Sequence, residues 1–247
     1  MKVIVIIPAA GLGTRMGSST ATAQGRQRSK QFVELEGDPI LIHTLRKFTS
    51  CAQVDEVWVA MRRTEIESFA PELVEAKLPK PVHTVEGGEH RQQSVANALR
   101  AVKAEDDDIV LVHDAVRPFI DAETIEATIE AVKKHGAVIV GVPAIDTIKQ
   151  VDRTSDGAIV KTTIPREQIV QAQTPQGARY GILRKVIDEA EASEFLGTDE
   201  ASLLERAGYP VHVVMGSTRN IKITTPADLE LAEFFLSSEH DRDIVTG

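Results

Sequence analysis

Val3–Gly17 reads VIVIIPAAGLGTRMG, a five-residue apolar, β-branched run that passes straight into a glycine-rich turn. Val3–Ile7 has no polar residue on either alternation, so both faces of its strand must be covered, the pattern of an interior strand in a parallel sheet. The glycines after Pro8 let backbone N–H groups approach an anion closely. Their spacing fits neither common nucleotide motif. Met16 stands where G-x-G-x-x-G needs its third glycine, and no Gly-Lys-Ser/Thr follows as a P-loop requires.

Beyond this turn, helix-like and strand-like segments alternate. Ile40–Phe48 is periodic and helical, Asp55–Met61 alternates like a strand, and Glu65–Leu78 reads as a helix interrupted by Pro71. Pro81–Val85 reads as strand, Arg91–Val102 as helix, Asp108–His113 as strand, Ala122–Lys134 as helix and Ala137–Pro143 as strand. Strands separated by helices of this length imply βαβ crossovers and a mostly parallel sheet. Ile145–Ile169 breaks the alternation: two alternating runs flank Asp156-Gly157, a hairpin signal. Such an insertion either folds onto its own sheet or is covered by a partner subunit as a dimerisation arm. Helices at Arg179 to about Ala192 and near Asp199–Ala207, strand Pro210–Met215 and helix Ala227–Leu236 follow. The expectation is one α/β domain over 1–238, its arm at about 145–170, with a tail at 239–247.

The chain has 247 residues, 28 basic and 37 acidic, for a formal net charge of −9. That balance argues against nucleic acid as a partner. The charge is unevenly placed, however: Met1–Val33 holds no acidic residue but contains Lys2, Arg15, Arg26, Arg28 and Lys30. A basic segment in an acidic protein is a local anion site or a solvated loop. Glycine amides beside Arg15 and the Lys30 of SKQF (Ser29–Phe32) make an apparatus suited to a polyphosphate, such as a nucleoside triphosphate. The single cysteine, Cys51, excludes an intramolecular disulfide framework and a multi-cysteine metal site. The apolar start is too short for a signal peptide and Pro8 ends it. No run approaches the ~20 apolar residues of a membrane span, so no membrane partner is expected and cytoplasm is the expected location.

PAAGLGTRMG followed by SKQF resembles the opening signature of the sugar-phosphate nucleotidyltransferase family. Further segments narrow the resemblance: GGEHRQQSVANAL (Gly87–Leu99), VHDAVRPF (Val112–Phe119), DTIK (Asp146–Lys149), TPQ (Thr174–Gln176), TDEASLLERAG (Thr198–Gly208) and NIKITTPADLELAE (Asn220–Glu233). In this order they resemble the 2-C-methyl-D-erythritol 4-phosphate cytidylyltransferases of the non-mevalonate isoprenoid pathway, from about Val3 to Leu236. The resemblance implies a Rossmann-like single α/β domain with an inserted β-hairpin arm, a homodimer formed through that arm, and a Mg²⁺-dependent (or other divalent-cation-dependent) transfer from CTP to a sugar-alcohol phosphate. It implies catalytic roles for Arg15 and Lys30 at the α-phosphate, and for Arg166 and Lys222 in positioning the second substrate. Pro8, Ala9, Ala10, Gly11, Gly13, Gly88 and Ser94 match the nucleotide cradle. Asp114, Arg117, Thr147, Thr174 and Thr198 match the alditol phosphate site, and Asp114 is also the candidate metal ligand. Ser29 stands where the family usually has proline, and Ser18–Arg28 lengthens the loop, with Arg26 and Arg28 read as solvated charges.

The chemistry is consistent with that residue set. A phosphate monoester is mostly dianionic near neutrality, its second pKa being ~6, so it attacks without a general base. The task is to bring two anions together and disperse charge at phosphorus, which calls for cations and in-line positioning. Three other readings stand beside this one: a D-ribitol 5-phosphate cytidylyltransferase, a nicotinamide oxidoreductase, and a non-catalytic nucleotide-binding module. Met16, and Ala60-Met61 where a ribose-binding acid belongs, argue against the oxidoreductase. His113, on an apolar strand, reads as a hydrogen-bonded structural residue. Cys51 reads as an inert small residue, Trp58 as core, and Glu239–Asp243 as a solvated tail.

Overall fold

The computed structural model describes residues 1–11 and 29–246, with side chains as far as Ser238. Gly13, Arg15, Arg26 and Arg28 lie outside the described residues. The chain runs β1 (Val3–Pro8), β2 (Glu34–Leu35), β3 (Asp38–Pro39), α1 (Ile40–Thr49), β4 (Glu56–Met61), α2 (Arg63–Glu75), β5 (Val82–Glu86), α3 (Arg91–Ala101) and β6 (Ile109–Val112). It continues through α4 (Ala122–His135), β7 (Ala137–Pro143), β8 (Ile148–Thr154), β9 (Gly157–Ile164), β10 (Val170–Arg179), α5 (Tyr180–Ala192), α6 (Glu200–Arg206), β11 (His212–Met215) and α7 (Pro226–Thr246).

Seven strands form one sheet in the order β11-β7-β10-β6-β1-β4-β5, a Rossmann-like α/β arrangement. β1 lies inside it, parallel to both β4 and β6. Its alternate residues enter opposite layers, as a buried interior strand requires. Val3, Val5 and Ile7 pack with Leu45 and Phe48 of α1 and Ile125 and Ile129 of α4, while Ile4 and Ile6 pack with Val95 and Leu99 of α3 and Leu183 of α5. A third cluster, including Leu35, Val116, Phe119, Ile223 and Leu236, lies beneath α7. Asp121 caps α4 by accepting the Thr124 N–H at 2.6 Å, and Gly136 ends it at φ +84°, a conformation that glycine adopts without Cβ strain.

Several elements depart from the sequence reading, among them the short strands β2 and β3 that it leaves unassigned. Pro71 does not interrupt α2, because Pro71 and Glu67 both lie on its exposed face, where water can bond the carbonyl that proline leaves unpaired. α7 extends to Thr246, so the backbone at 239–246 is helical where a tail was expected. The largest departure is β10, which sequence reading leaves unassigned. It is antiparallel to both of its neighbours, β6 and β7, within an otherwise parallel sheet. Its Pro175 falls where the register with β7 shifts between Ala172 and Gln176, a bulge that tolerates the missing N–H.

Among the described residues β8 and β9 pair only with each other, as a separate two-stranded sheet. The hairpin therefore does not fold onto its own sheet. Ile159 and Val160 are exposed by 66% and 57%, an apolar surface unusual for a hairpin that must stand alone.

Candidate active site

Open parallel sheets bind ligands beyond the carboxyl ends of their strands, and the predicted residues converge there. From β1, Pro8, Ala9 and Gly11 form one wall of a cavity of about 280 Å³, completed by Lys30, Gly88, Ser94, Asp114 and Lys222 among others, while Ala10 lines a neighbouring cavity with Gly87 and Arg62. From β5, Gly87 donates its N–H to the Met61 carbonyl at 2.8 Å. A Cβ at Gly87 would come within 2.6 Å of the Ala10 Cβ, so glycine is what lets these two loops meet. The Ser94 hydroxyl accepts the Gly88 N–H at 3.0 Å, which fixes the loop against α3.

Lys30 reaches this wall on a single 3-10 turn, Lys30–Phe32. Gln31 is buried and its side-chain amide donates to the Ala9 carbonyl. Phe32 packs on Phe69 with ring centroids 5.2 Å apart. The Ser29 hydroxyl donates to Glu65 at 2.5 Å. The SKQF segment thus fastens the lysine to the glycine-rich loop by its neighbours, and Gln31 is a site residue that sequence reading missed.

Asp114, just past β6, is the centre of the charge arrangement. Its carboxylate is 2.9 Å from the Lys222 Nζ, 3.2 Å from the Arg117 Nε and 3.4 Å from the Arg91 Nε. Burial alone would raise its pKa, but the three cations outweigh burial and hold the carboxyl well below the usual carboxylate range. Arg91, quoted in a motif but given no role, makes two further bonds to Glu200 at 2.6 and 2.9 Å. Burial works against its charge too, yet the paired carboxylates raise its pKa beyond the ordinary guanidinium value. Lys222 is placed by bonds on either side of it: Ile223 N–H bonds the Val116 carbonyl at 2.9 Å, and the Asn220 carbonyl accepts from Arg117 at 2.7 Å.

A second, smaller cavity of about 140 Å³ is lined by Arg117, Gln173, Thr174, Thr198 and Asp199, and it shares Arg91, Asp114 and Lys222 with the first. The shared residues form a seam between a cradle of backbone amides and a pocket of hydroxyls and amides. Arg166 and Thr147 line neither cavity. They sit exposed at the root of the hairpin, where Arg166 donates to the Ile145 carbonyl at 2.8 Å.

His113 is fully buried and fully bonded. Its Nε2 faces the Arg117 carbonyl at 3.0 Å and its Nδ1 the Thr174 hydroxyl at 3.0 Å. A carbonyl only accepts, so Nε2 carries the proton. The Thr174 oxygen accepts the Asp114 N–H at 3.1 Å and donates its own proton to Nδ1. Burial, only partly offset by the bond to Arg117, pushes the pKa down to about 4. This is a neutral structural histidine that orders the loop bearing Asp114.

Asp114, the candidate metal ligand, is engaged by cationic side chains in this structure. Three cations crowd its two oxygens, and among the described residues no group of three or more His, Cys, Asp or Glu side chains could hold an ion.

Comparison with known proteins gives one consistent match. The family model for 2-C-methyl-D-erythritol 4-phosphate cytidylyltransferase matches residues 3–238. A relative of that name from Acidobacterium capsulatum is 57% identical over 242 residues, covering 98% of this chain and all of the relative. Among solved structures, one titled 4-diphosphocytidyl-2C-methyl-D-erythritol synthase, from Anaerococcus prevotii, matches with a TM-score of 0.80 at 30% identity over 96% of this chain and 98% of its own. The 2-C-methyl-D-erythritol 4-phosphate cytidylyltransferase of Francisella tularensis matches with a TM-score of 0.77 at 36% identity, over 95% and 99%.

Proposed function

Because the chain belongs to the 2-C-methyl-D-erythritol 4-phosphate cytidylyltransferase family, we propose that it transfers a cytidylyl group from CTP to 2-C-methyl-D-erythritol 4-phosphate in isoprenoid precursor synthesis. An oxygen of the alditol phosphate attacks the α-phosphorus of CTP, the bond to the β-phosphate oxygen breaks, and pyrophosphate leaves with that electron pair. The observation that carries this reading is the seam: Arg91, Asp114 and Lys222 line both the glycine cradle and the hydroxyl pocket. Two anions bound in these cavities meet at a cluster in which Arg91, Arg117 and Lys222 outnumber Asp114 and Glu200, with Lys30 on the cradle wall. The cradle holds CTP; Thr174, Thr198 and Arg117 face the alditol phosphate.

The incoming phosphate is its own nucleophile near neutrality, so His113, held neutral by its burial, has no proton to move. In this reading the divalent cation, Mg²⁺ or another, travels on the triphosphate oxygens, as Mg²⁺ commonly does, and Asp114 orients cations instead of a metal. A cytoplasmic location is part of the same reading. Among the described residues no helix is long and apolar enough to cross a membrane.

Pyrophosphate release tests the proposal, using purified protein, CTP, Mg²⁺ and each alditol phosphate in turn. Turnover is expected with methylerythritol phosphate. Turnover with D-ribitol 5-phosphate alone would move the chain to the other substrate, and none with either would leave a nucleotide-binding module.

The same reading makes the protein a homodimer through the hairpin. Ile159 and Val160 need cover, and Arg166 and Thr147 can serve a site only if the arm carries them to a neighbouring protomer. Deleting Val151–Lys161 is expected to give monomers in sedimentation velocity. A dimer that survives the deletion rules out the arm as the contact.

A further inference from the structure

Glu200 lies 109 residues from Arg91, and the two are the first residues of α6 and α3. The carboxylate is 3% exposed and grips both terminal nitrogens of the guanidinium, at 2.6 and 2.9 Å. This leaves the third nitrogen, Nε, directed at Asp114 from 3.4 Å. Each terminal nitrogen gives one N–H to Glu200 and Nε gives its own toward Asp114, so Arg91 is held as a strut between Glu200 and Asp114.

The far end of the strut is itself braced. Asp199 accepts the Ser202 N–H at 3.0 Å and, with the Ser202 hydroxyl, closes a capping box at the start of α6. Gln176, on β10, donates to Asp199 at 2.8 Å and accepts the Ala201 N–H at 2.8 Å. Glu200 therefore projects from backbone tied on both sides to an interior strand of the sheet. A buried ion pair is weak as a source of stability, since apolar residues of equal volume often do as well. This one instead touches the carboxylate that orients Lys222 and Arg117 at the seam.

We infer that Glu200 is a positioning residue of the reaction: its two-pronged hold on Arg91 sets the place of Asp114, and through it the cations that receive the alditol phosphate. The assignment rests on the cytidylyltransferase reading for its substrate. In the Glu200→Gln variant the side-chain NH₂ opposes a guanidinium N–H, so one bond and the countercharge are lost while the volume is kept. Arg91 is then free to swing.

Steady-state kinetics should show KM for the alditol phosphate at least 10-fold higher, with KM for CTP within about twofold and kcat lowered only a few-fold. A merely structural pair would lower the melting temperature and the active fraction and leave both KM values alone; that result overturns the assignment. Should Glu200→Gln fail to fold, Arg91→Lys keeps the charge but not the planar fork, and the same split is expected. The Arg91 Nε–H resonance gives a readout independent of turnover. It is expected to be slowly exchanging in the wild type and lost in Glu200→Gln, and an unchanged resonance refutes the strut. A wild type that releases no pyrophosphate defeats the parent reading alone, while the resonance still decides the role of Glu200.

Discussion

Lys30→Ala is expected to lower kcat by on the order of 10²-fold or more at saturating substrates, the scale of losing one preorganised charge at a transition state. Lys30 lines the same cavity as Arg91, Asp114 and Lys222. Its backbone is held by Gln31, whose amide bonds the Ala9 carbonyl, and by Phe32 against Phe69. Truncation at Cβ removes the ammonium and leaves those anchors, so fold and cradle should survive. The effect then belongs to charge dispersal at the α-phosphorus. Pyrophosphate release under saturation, with melting temperature as the control, reads it directly. Arg15→Ala is expected to act in the same way. Wild-type turnover in either variant would remove that residue from the catalytic set.

The second large effect is expected at Asp114. Asp114→Asn should lower kcat/KM for the alditol phosphate by roughly 10²-fold, since Lys222, Arg117 and Arg91 all take their placement from its carboxylate. The amide keeps the volume but carries no charge, and three cations are left facing one another. Removing one partner of a buried pair costs roughly 3–5 kcal/mol. Here Lys222 and Arg91 are partly in contact with solvent, which moves the expected loss toward about 3 kcal/mol or below. Denaturant unfolding and initial-rate kinetics separate the two consequences. An unchanged kcat/KM would show that the cations hold their places without Asp114.

Much of this was legible in the linear chain because burial leaves a local imprint. Val3–Ile7 must be covered on both faces, and it became an interior strand of the sheet. The loop after it sits at the carboxyl edge because parallel strands all end there. Asp114 and Lys222 could be named in advance from their motifs, and they stand 2.9 Å apart. β10 was not legible. Its VQAQTPQGAR carries polar residues and a proline that local propensity reads as loop, and its place is decided by the gap between β6 and β7 and by a bulge that accommodates Pro175. Gln31, Arg91 and Glu200 escaped for a related reason. In a helix or turn, each resembles an ordinary surface side chain until its distant partner is known.

The net charge of −9 describes the whole molecule, yet its distribution along the chain already placed cations beside the glycine-rich loop. Alternation, turn chemistry and that distribution act over a few residues, and to this extent the amino-acid order sufficed: an α/β domain, an anion cradle after β1, and a hairpin set into the chain. Which residues touch across 60 to 109 positions is a matter of packing. Only the folded chain could join Glu200 to Arg91, surround Asp114 with three cations, and leave Arg166 away from the two cavities of its own chain. The physical reason is range. Hydrophobic periodicity and capping are local and additive along the sequence, whereas charge placement at a buried site depends on which surfaces the sheet brings together.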